Sequence, residues 1–198
     1  MRIIAGEKRG KKLVTITGDT IRPTADKIKG AIFNSLQNEI REAAVFVDLF
    51  SGTGAMGLEA LSRGVALGYF FDCSSESIKT TKKNIDLLGY EDRSRVFNQS
   101  ARSGVEMLTR DQVQCDIIFM DPPYCQVDEI YQLLEMISEK EILTENGKLV
   151  IETEKSVIMP LVKNKLTCYK SKKYGITTIS YYSRENYEHK NCSLPREF

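Results

Sequence analysis

The segment Val45-Phe-Val-Asp-Leu-Phe50 runs without a break into Ser51-Gly-Thr-Gly-Ala-Met-Gly57 and then Leu58-Glu-Ala-Leu-Ser-Arg63, and it narrows the possible folds more than any other stretch. A short apolar run, a glycine turn and a second apolar segment read in that order as strand, tight turn and helix. Gly52, Gly54 and Gly57 allow the turn and let a ligand approach backbone N–H groups at a helix N-terminus. One such glycine is commonly needed for helix–strand packing alone. Three at this spacing point to a bound cofactor.

The rest of the chain repeats the strand–helix unit. Leu67–Phe71 is apolar and ends in Asp72, where an acidic side chain can accept from ribose hydroxyls. A leading helix is expected over residues 26–37, capped near Thr24, and another over 75–88, capped by Ser74 or Ser75. Residues 95–98 read as a short strand, 101–108 as a helix, 115–120 as a buried strand, 128–138 as a helix and 147–152 as a strand. Residues 166–174 and 177–183 read as a terminal hairpin turning at Gly175. Such alternation predicts an α/β, Rossmann-like, doubly wound and mostly parallel seven-stranded sheet with a C-terminal antiparallel hairpin.

The spacing Gly52-x-Gly54-x-x-Gly57 also fits a dinucleotide site, where the helix N-terminus would face a pyrophosphate. Two features point instead to S-adenosylmethionine. Asp48 lies inside the strand, four residues before the first glycine, where it can orient the amino-acid part of that cofactor. The run Cys115-Asp-Ile-Ile-Phe-Met120 closes in Asp121-Pro122-Pro123-Tyr124. Consecutive prolines form a stiff extended corner whose carbonyls point outward and which donates no N–H. Asp121 and the Pro122 carbonyl can each accept one N–H of a planar exocyclic amine, and Tyr124 can stack on its ring. Base–aromatic stacking of this kind is worth about 1–3 kcal/mol. A Pro-rich turn at a strand end is the plain alternative.

With 198 residues, 41% hydrophobic and 28% charged, the chain suits one soluble α/β domain. No apolar stretch of about 18–20 residues is present, and no positively flanked apolar N-terminus, so a cytoplasmic protein without membrane contact is expected. Cysteines 73, 115, 125, 168 and 192 show no zinc-type or redox-type pairing, and the lone His189 sits in a polar tail. No metal is expected. Charge is uneven: residues 1–29 hold eight Lys or Arg against three acids, a net of +5, which leaves −4 for the remainder of a chain whose total is +1. Arg2-Ile-Ile-Ala and Lys12-Leu-Val-Thr-Ile16 read as strands of a small hairpin across a turn from Gly6 to Gly10. That basic hairpin would present Arg9 and Lys11, with Arg22, Lys27 and Lys29 nearby, to phosphates. A solvated surface arm is the alternative. The chain thus divides into a basic β-hairpin extension (1–24), a cofactor-binding domain (25–184) and a polar tail expected to be disordered (185–198).

Five stretches carry a family resemblance: Arg2-Ile-Ile-Ala-Gly6; Lys8-Arg-Gly-Lys-Lys-Leu13; Arg22-Pro-Thr-Ala-Asp-Lys27 with Phe33-Asn34; Asp48-Leu-Phe-Ser-Gly-Thr-Gly54 with Gly57-Leu-Glu-Ala-Leu-Ser-Arg-Gly64; and Asp121-Pro-Pro-Tyr124. Almost end to end, the chain resembles the RsmD-type bacterial methyltransferases that modify the exocyclic N2 of one guanine in small-subunit (16S) ribosomal RNA. The resemblance implies that Asp48, Phe50, Ser51, Gly52, Thr53, Gly54, Gly57 and Asp72 hold S-adenosylmethionine, with Ser100 and Ala101 near its adenine. It implies further that Asp121, Pro122, Pro123 and Tyr124 hold the guanine, and that the basic hairpin meets ribosomal RNA, within small-subunit particles. Three features depart from the family pattern. Gly30 replaces a usual acid, Ser100 replaces a frequent Asp or Asn, and the tail runs past the usual end.

Other readings remain at the level of sequence. A DNA adenine-N6 methyltransferase could use the same amine-holding corner, although little chain is left over for a target-recognition domain. A dinucleotide-binding oxidoreductase would bind nicotinamide. A non-catalytic cofactor-binding protein would tolerate loss of Asp121.

Overall fold

The computed structural model describes residues 1–16, 23–123 and 127–184. Tyr124, Arg22, Cys125 and the tail with His189 lie outside the described residues. Eight strands form one sheet: β1 (Val45–Asp48), β2 (Leu67–Phe71), β3 (Ser94–Phe97), β4 (Cys115–Met120), β5 (Leu143–Glu154), β6 (Val162–Lys163), β7 (Leu166–Tyr174) and β8 (Thr177–Arg184). Their order is β3-β2-β1-β4-β5-β8-β7-β6. The first five are parallel, and β8, β7 and β6 follow antiparallel. The eighth strand, beyond the seven expected, is the two-residue edge strand β6, too short to leave an alternating pattern.

Among the described residues six α-helices connect and cover the sheet: α1 (Pro23–Ser35), α2 (Gln37–Glu42), α3 (Ala55–Ser62), α4 (Ser75–Leu88), α5 (Ala101–Arg110) and α6 (Val127–Lys140). Helix α4 has the bounds its punctuation predicts. Ser74 accepts the Ser77 N–H at its start, and Gly89, at φ 69°, ends it in the left-handed conformation. Helix α1 begins three residues before the expected start, with proline at its first position, where no N–H is needed. The polar segment Gln37–Glu42 forms a short second helix that no apolar period announces. Strand β5 starts at Leu143 instead of Gly147, and its pairing with β4 shifts register between Cys115 and Ile117, a bulge that absorbs the extra residues.

Apolar side chains fill both faces of the sheet. On one, Val47, Phe71, Ile118, Met120 and Ile151 meet α5 and α6. On the other, Phe46, Ile117, Phe119, Val150 and Ile179 meet α1 and α2. The N-terminal arm covers α3 and α4, where Ile3 and Leu13 join Leu58, Leu61, Phe70 and Ile85. The arm doubles back across residues 5–10 and is paired by a single antiparallel bridge, Arg2 with Lys12, instead of two regular strands. Gly6 is indispensable to its seat: at φ +83°, a Cβ there would lie 1.8 Å from the Ser62 carbonyl oxygen.

One buried acid holds the arm down. Glu59 of α3 is fully buried and accepts the N–H groups of Ile4 (2.7 Å) and Ala5 (3.0 Å). It also accepts from the Arg63 Nε at 2.8 Å and pairs with Lys29 at 3.4 Å. Asn84 of α4 joins arm to glycine turn: its side chain accepts from Val14 N–H and donates to the carbonyls of Val14 and Thr53. Among the described residues no helix is long and apolar enough to cross a membrane.

Candidate active site

Chain order reverses between β1 and β4, so the segments leaving their C-terminal ends diverge and open a crevice. The glycine turn occupies one wall. Gly52 (φ 53°) and Gly54 (φ 79°) are both left-handed, and a Cβ on Gly52 would meet only open space, so ligand atoms can come close to the backbone there. Thr81 donates to the Gly52 carbonyl at 3.0 Å, and Gly52 N–H donates to Asp72 at 2.8 Å. The other Asp72 oxygen accepts Ser74 N–H at 2.8 Å. Asp72 therefore fixes the turn while its remaining lone pairs stay available.

A cavity of about 250 Å³ opens at the crevice, lined by Asp48, Phe50, Ser51, Gly52, Thr53, Phe119, Asp121 and Glu152, together with Met1, Ile28, Lys29 and Ile32. Buried polar atoms that lack partners face ligand chemistry or cost stability. Among the described residues, Asp48 Oδ1 and Ser51 Oγ are two such atoms. The backbone N–H groups of Phe50 and Gly57 favour the ionised form of Asp48, but burial dominates and pushes its carboxyl up to about 7, with help from the charge of Asp121 and Asp72. A cationic ammonium would satisfy the free oxygen and restore the ionised form. The residues present thus fit the amino-acid end of S-adenosylmethionine.

Asp121 follows β4 directly. Part of its surface is open at the cavity mouth, yet the surrounding protein still raises its carboxyl to about 6. Pro122 is buried and Pro123 exposed, and among the described residues no peptide bond is cis. Tyr124 lies outside the described residues.

Several expected site residues lie outside the lining of this cavity. Gly57 does not line the cavity: a Cβ on it would lie 2.3 Å from the Phe70 ring, so this glycine serves helix–sheet packing. Ser100 caps α5 by accepting Ser103 N–H, and Ala101 is buried; both follow β3 and neither lines the cavity. Arg9, Lys11 and Lys27 are exposed, whereas Arg22 lies outside the described residues. Lys29 corrects the expectation that it meets phosphate. It is 3% exposed, donates to the Arg2 carbonyl at 2.6 Å and pairs with Glu59, because the docked arm roofs it over.

Glu152, at the end of β5, is a cavity acid that no sequence motif singles out. Burial and the charge of Asp121 push it up to about 8. A signal existed: the apolar runs of β1, β2, β4 and β5 all close on an acid, at Asp48, Asp72, Asp121 and Glu152.

A parallel β3-β2-β1-β4-β5 core with a glycine turn at its switch point and acids at its strand tips defines a Rossmann-like domain of the S-adenosylmethionine-dependent methyltransferase type. Comparison with known proteins narrows the class. The model of the family described as "Conserved hypothetical protein 95" matches residues 1–183, and the chain belongs to this family, the RsmD-type family that its motifs resemble. YlbH of Bacillus subtilis is 33% identical over 184 residues, 93% of this chain and 99% of the relative. Ribosomal RNA small subunit methyltransferase D of Haemophilus influenzae is 32% identical over 183 residues, 92% of this chain and 93% of the relative. The solved structure of yhhF from Escherichia coli superposes with a TM-score of 0.80 at 29% identity, covering 93% of this chain and 98% of that one.

Proposed function

We propose that this protein methylates the exocyclic N2 of a guanine in 16S ribosomal RNA, with S-adenosylmethionine as donor and a small-subunit particle as substrate. The observation that carries the reading is that one small cavity is lined both by Asp48, with its unpartnered oxygen, and by Asp121, the first residue of the Asp121-Pro122-Pro123 corner. S-adenosylmethionine supplies an electrophilic methyl group when bound. Asp48 and Ser51 would hold its amino-acid end, the open backbone at Gly52 would lie against it, and Asp72 would accept from its ribose.

The chain's own residues do the remaining work by placement. The Asp121 carboxylate and the Pro122 carbonyl accept the two amine hydrogens, which turns the nitrogen lone pair out of the base plane toward the methyl. With its affinity for protons raised, Asp121 can also take the proton that the amine sheds as the N–C bond forms. Tyr124 is assigned to stack on a base drawn out of its helix, a step costing a few kcal/mol. Alignment of this kind can supply about 7–11 kcal/mol of the barrier. Exposed Arg9, Lys11 and Lys27 would contact RNA phosphates, with Arg22 assigned the same role, and an rRNA substrate implies a cytoplasmic location.

The deciding experiment is transfer of labelled methyl from S-adenosylmethionine to small-subunit particles that lack the modification, with genomic DNA run in parallel and product nucleosides identified by mass spectrometry. N2-methylguanosine in the RNA is expected. Label in DNA adenine, or no transfer to either, would overturn the assignment.

A further inference from the structure

Glu152 has no part in the methyl transfer itself, yet the sheet sets it beside the acid that does. Strands β4 and β5 are parallel with Met120 opposite Ile151. One step further along that register brings Asp121 opposite Glu152, on backbones about 4.8 Å apart. Period-two alternation places both on one face, since Phe119 and Val150, two residues earlier, share the core beneath α1 and α2. Asp48, two residues after Phe46 on β1 and in register with Phe119, lies one same-face step below this pair, and all three carboxyls line the same cavity. Among the described residues no hydrogen bond or ion pair engages the Glu152 carboxyl. Besides these acids, the charged side chain lining this cavity is Lys29, held by the Arg2 carbonyl and Glu59.

Neighbouring carboxyls at a partly enclosed site do not all ionise together. The pair shares a proton, and burial together with the charge of Asp121 favours holding it at Glu152. The cavity therefore offers a donor and an acceptor side by side, one strand spacing apart. Guanine presents the complement along its Watson–Crick edge: the N2 amine at one end, the O6 acceptor at the other. Adenine, with its amine in the same place, presents a C2–H where guanine has O6.

Resting on the assignment of guanine as the base, we propose that Glu152 is the specificity-determining residue of the site, its carboxyl O–H donating to guanine O6 while Asp121 and the Pro122 carbonyl accept from N2. A base lacking that acceptor would leave a buried donor unpaired, which is the strongest form of discrimination a binding site can build.

The test uses the full-length protein with unmodified small-subunit particles, single-turnover rates from pH 6.5 to 9.5, and mass-spectrometric identification of the product nucleoside. Wild type should lose rate as pH rises through the range in which Glu152 gives up its proton. Glu152→Gln keeps a donor at every pH; it should retain activity within about tenfold and lose that alkaline decline. Glu152→Leu should fall at least ~100-fold, with S-adenosylmethionine affinity by calorimetry unchanged within about threefold. Wild-type rates in Glu152→Leu, or an unchanged alkaline decline in Glu152→Gln, would overturn the role of Glu152 while N2-methylguanosine in the product kept the base assignment standing. A methylated adenine as the wild-type product would overturn both.

Discussion

Two buried carboxylates eleven residues apart in the chain, Glu59 and Asp48, have opposite fates. Glu59 is saturated: two backbone N–H groups, an arginine and a lysine converge on it where the arm meets α3. Asp48 keeps one oxygen without a partner and shares its cavity with two other acids, with its proton affinity raised. Burying a charge is tolerable when donors surround it, and a fold has no structural reason to leave one half-paired. The seam at Glu59 holds the structure together, whereas the cavity lined by Asp48, Asp121 and Glu152 stores unmet hydrogen-bonding and electrostatic demand for a ligand. Substitutions on the two sides should therefore fail differently.

The largest effect is expected on the ligand side. Asp121→Ala removes an acceptor that positions the amine, and turnover should fall by at least about 10³-fold. The protein should melt normally, and S-adenosylmethionine should still bind with nearly unchanged affinity by calorimetry. Methylation near the wild-type rate would show that the corner does not hold the reacting base.

On the structural side, Glu59→Leu strands Lys29 in a buried site without its counter-charge and orphans two N–H groups of the arm. A loss of about 3–5 kcal/mol is expected, read from denaturant unfolding. Proteolysis should also cut the released arm. Material that stays folded should keep its affinity for S-adenosylmethionine. A stable variant with a docked arm would remove the distinction between the two acids.

A third contrast lies in pH. Asp48, Asp121 and Glu152 all have folded-state pKa values above their ordinary values, at about 7, 6 and 8. From about pH 4 up to these values the folded chain binds more protons than the unfolded one. Stability linked to these groups is complete at acid pH and is lost as pH rises through 6 to 8. The acids with lowered pKa, Glu7, Asp111 and Glu141, act below that window. Melting temperature without ligand should thus decline between pH 5.5 and 8.5, and saturating S-adenosylmethionine should flatten the decline, because a bound ammonium favours ionised Asp48. A melting temperature that rises over this interval would contradict the picture of an unmet acidic cluster.

How far this division can be read from sequence depends on whether the signal is local. The turn at Gly52, helix α4 between Ser74 and Gly89, and the β7–β8 hairpin at Gly175 declare themselves through period, caps and glycine. The fold class follows from them. Asp48 and Asp121 are legible because each sits in a motif. The burial of Lys29 is not, since a lysine's charge predicts solvent, and only the arm returning from far away in the chain buries it. Glu152 belongs to no motif; its meaning comes from a neighbouring strand some thirty residues earlier and from the register that aligns the two. Helix α2 and the bulge in β5 are likewise products of packing, without a sequence signature of their own.

The smallest effect concerns the outward side of the arm. Its inner surface is fixed by Ile3, Leu13 and Glu59, while Arg9 and Lys11 remain exposed, as does Lys27 on α1. Replacing each of these three by Gln should leave the melting temperature nearly unchanged, because exposed charges contribute little to stability. RNA affinity should weaken modestly, and the slope of log affinity against log salt should become shallower by roughly 0.7 to 0.9 for each phosphate no longer neutralised. Lys29→Gln supplies the contrast within the same basic segment: it should lower stability and leave the salt slope alone, since its ammonium is engaged below the arm and does not reach solvent. Filter binding of 16S RNA between about 50 and 200 mM salt resolves the two cases. An unchanged slope in the triple variant would make the outer face of the arm a solvated surface, and the RNA-binding residues would then have to lie elsewhere around the cavity mouth.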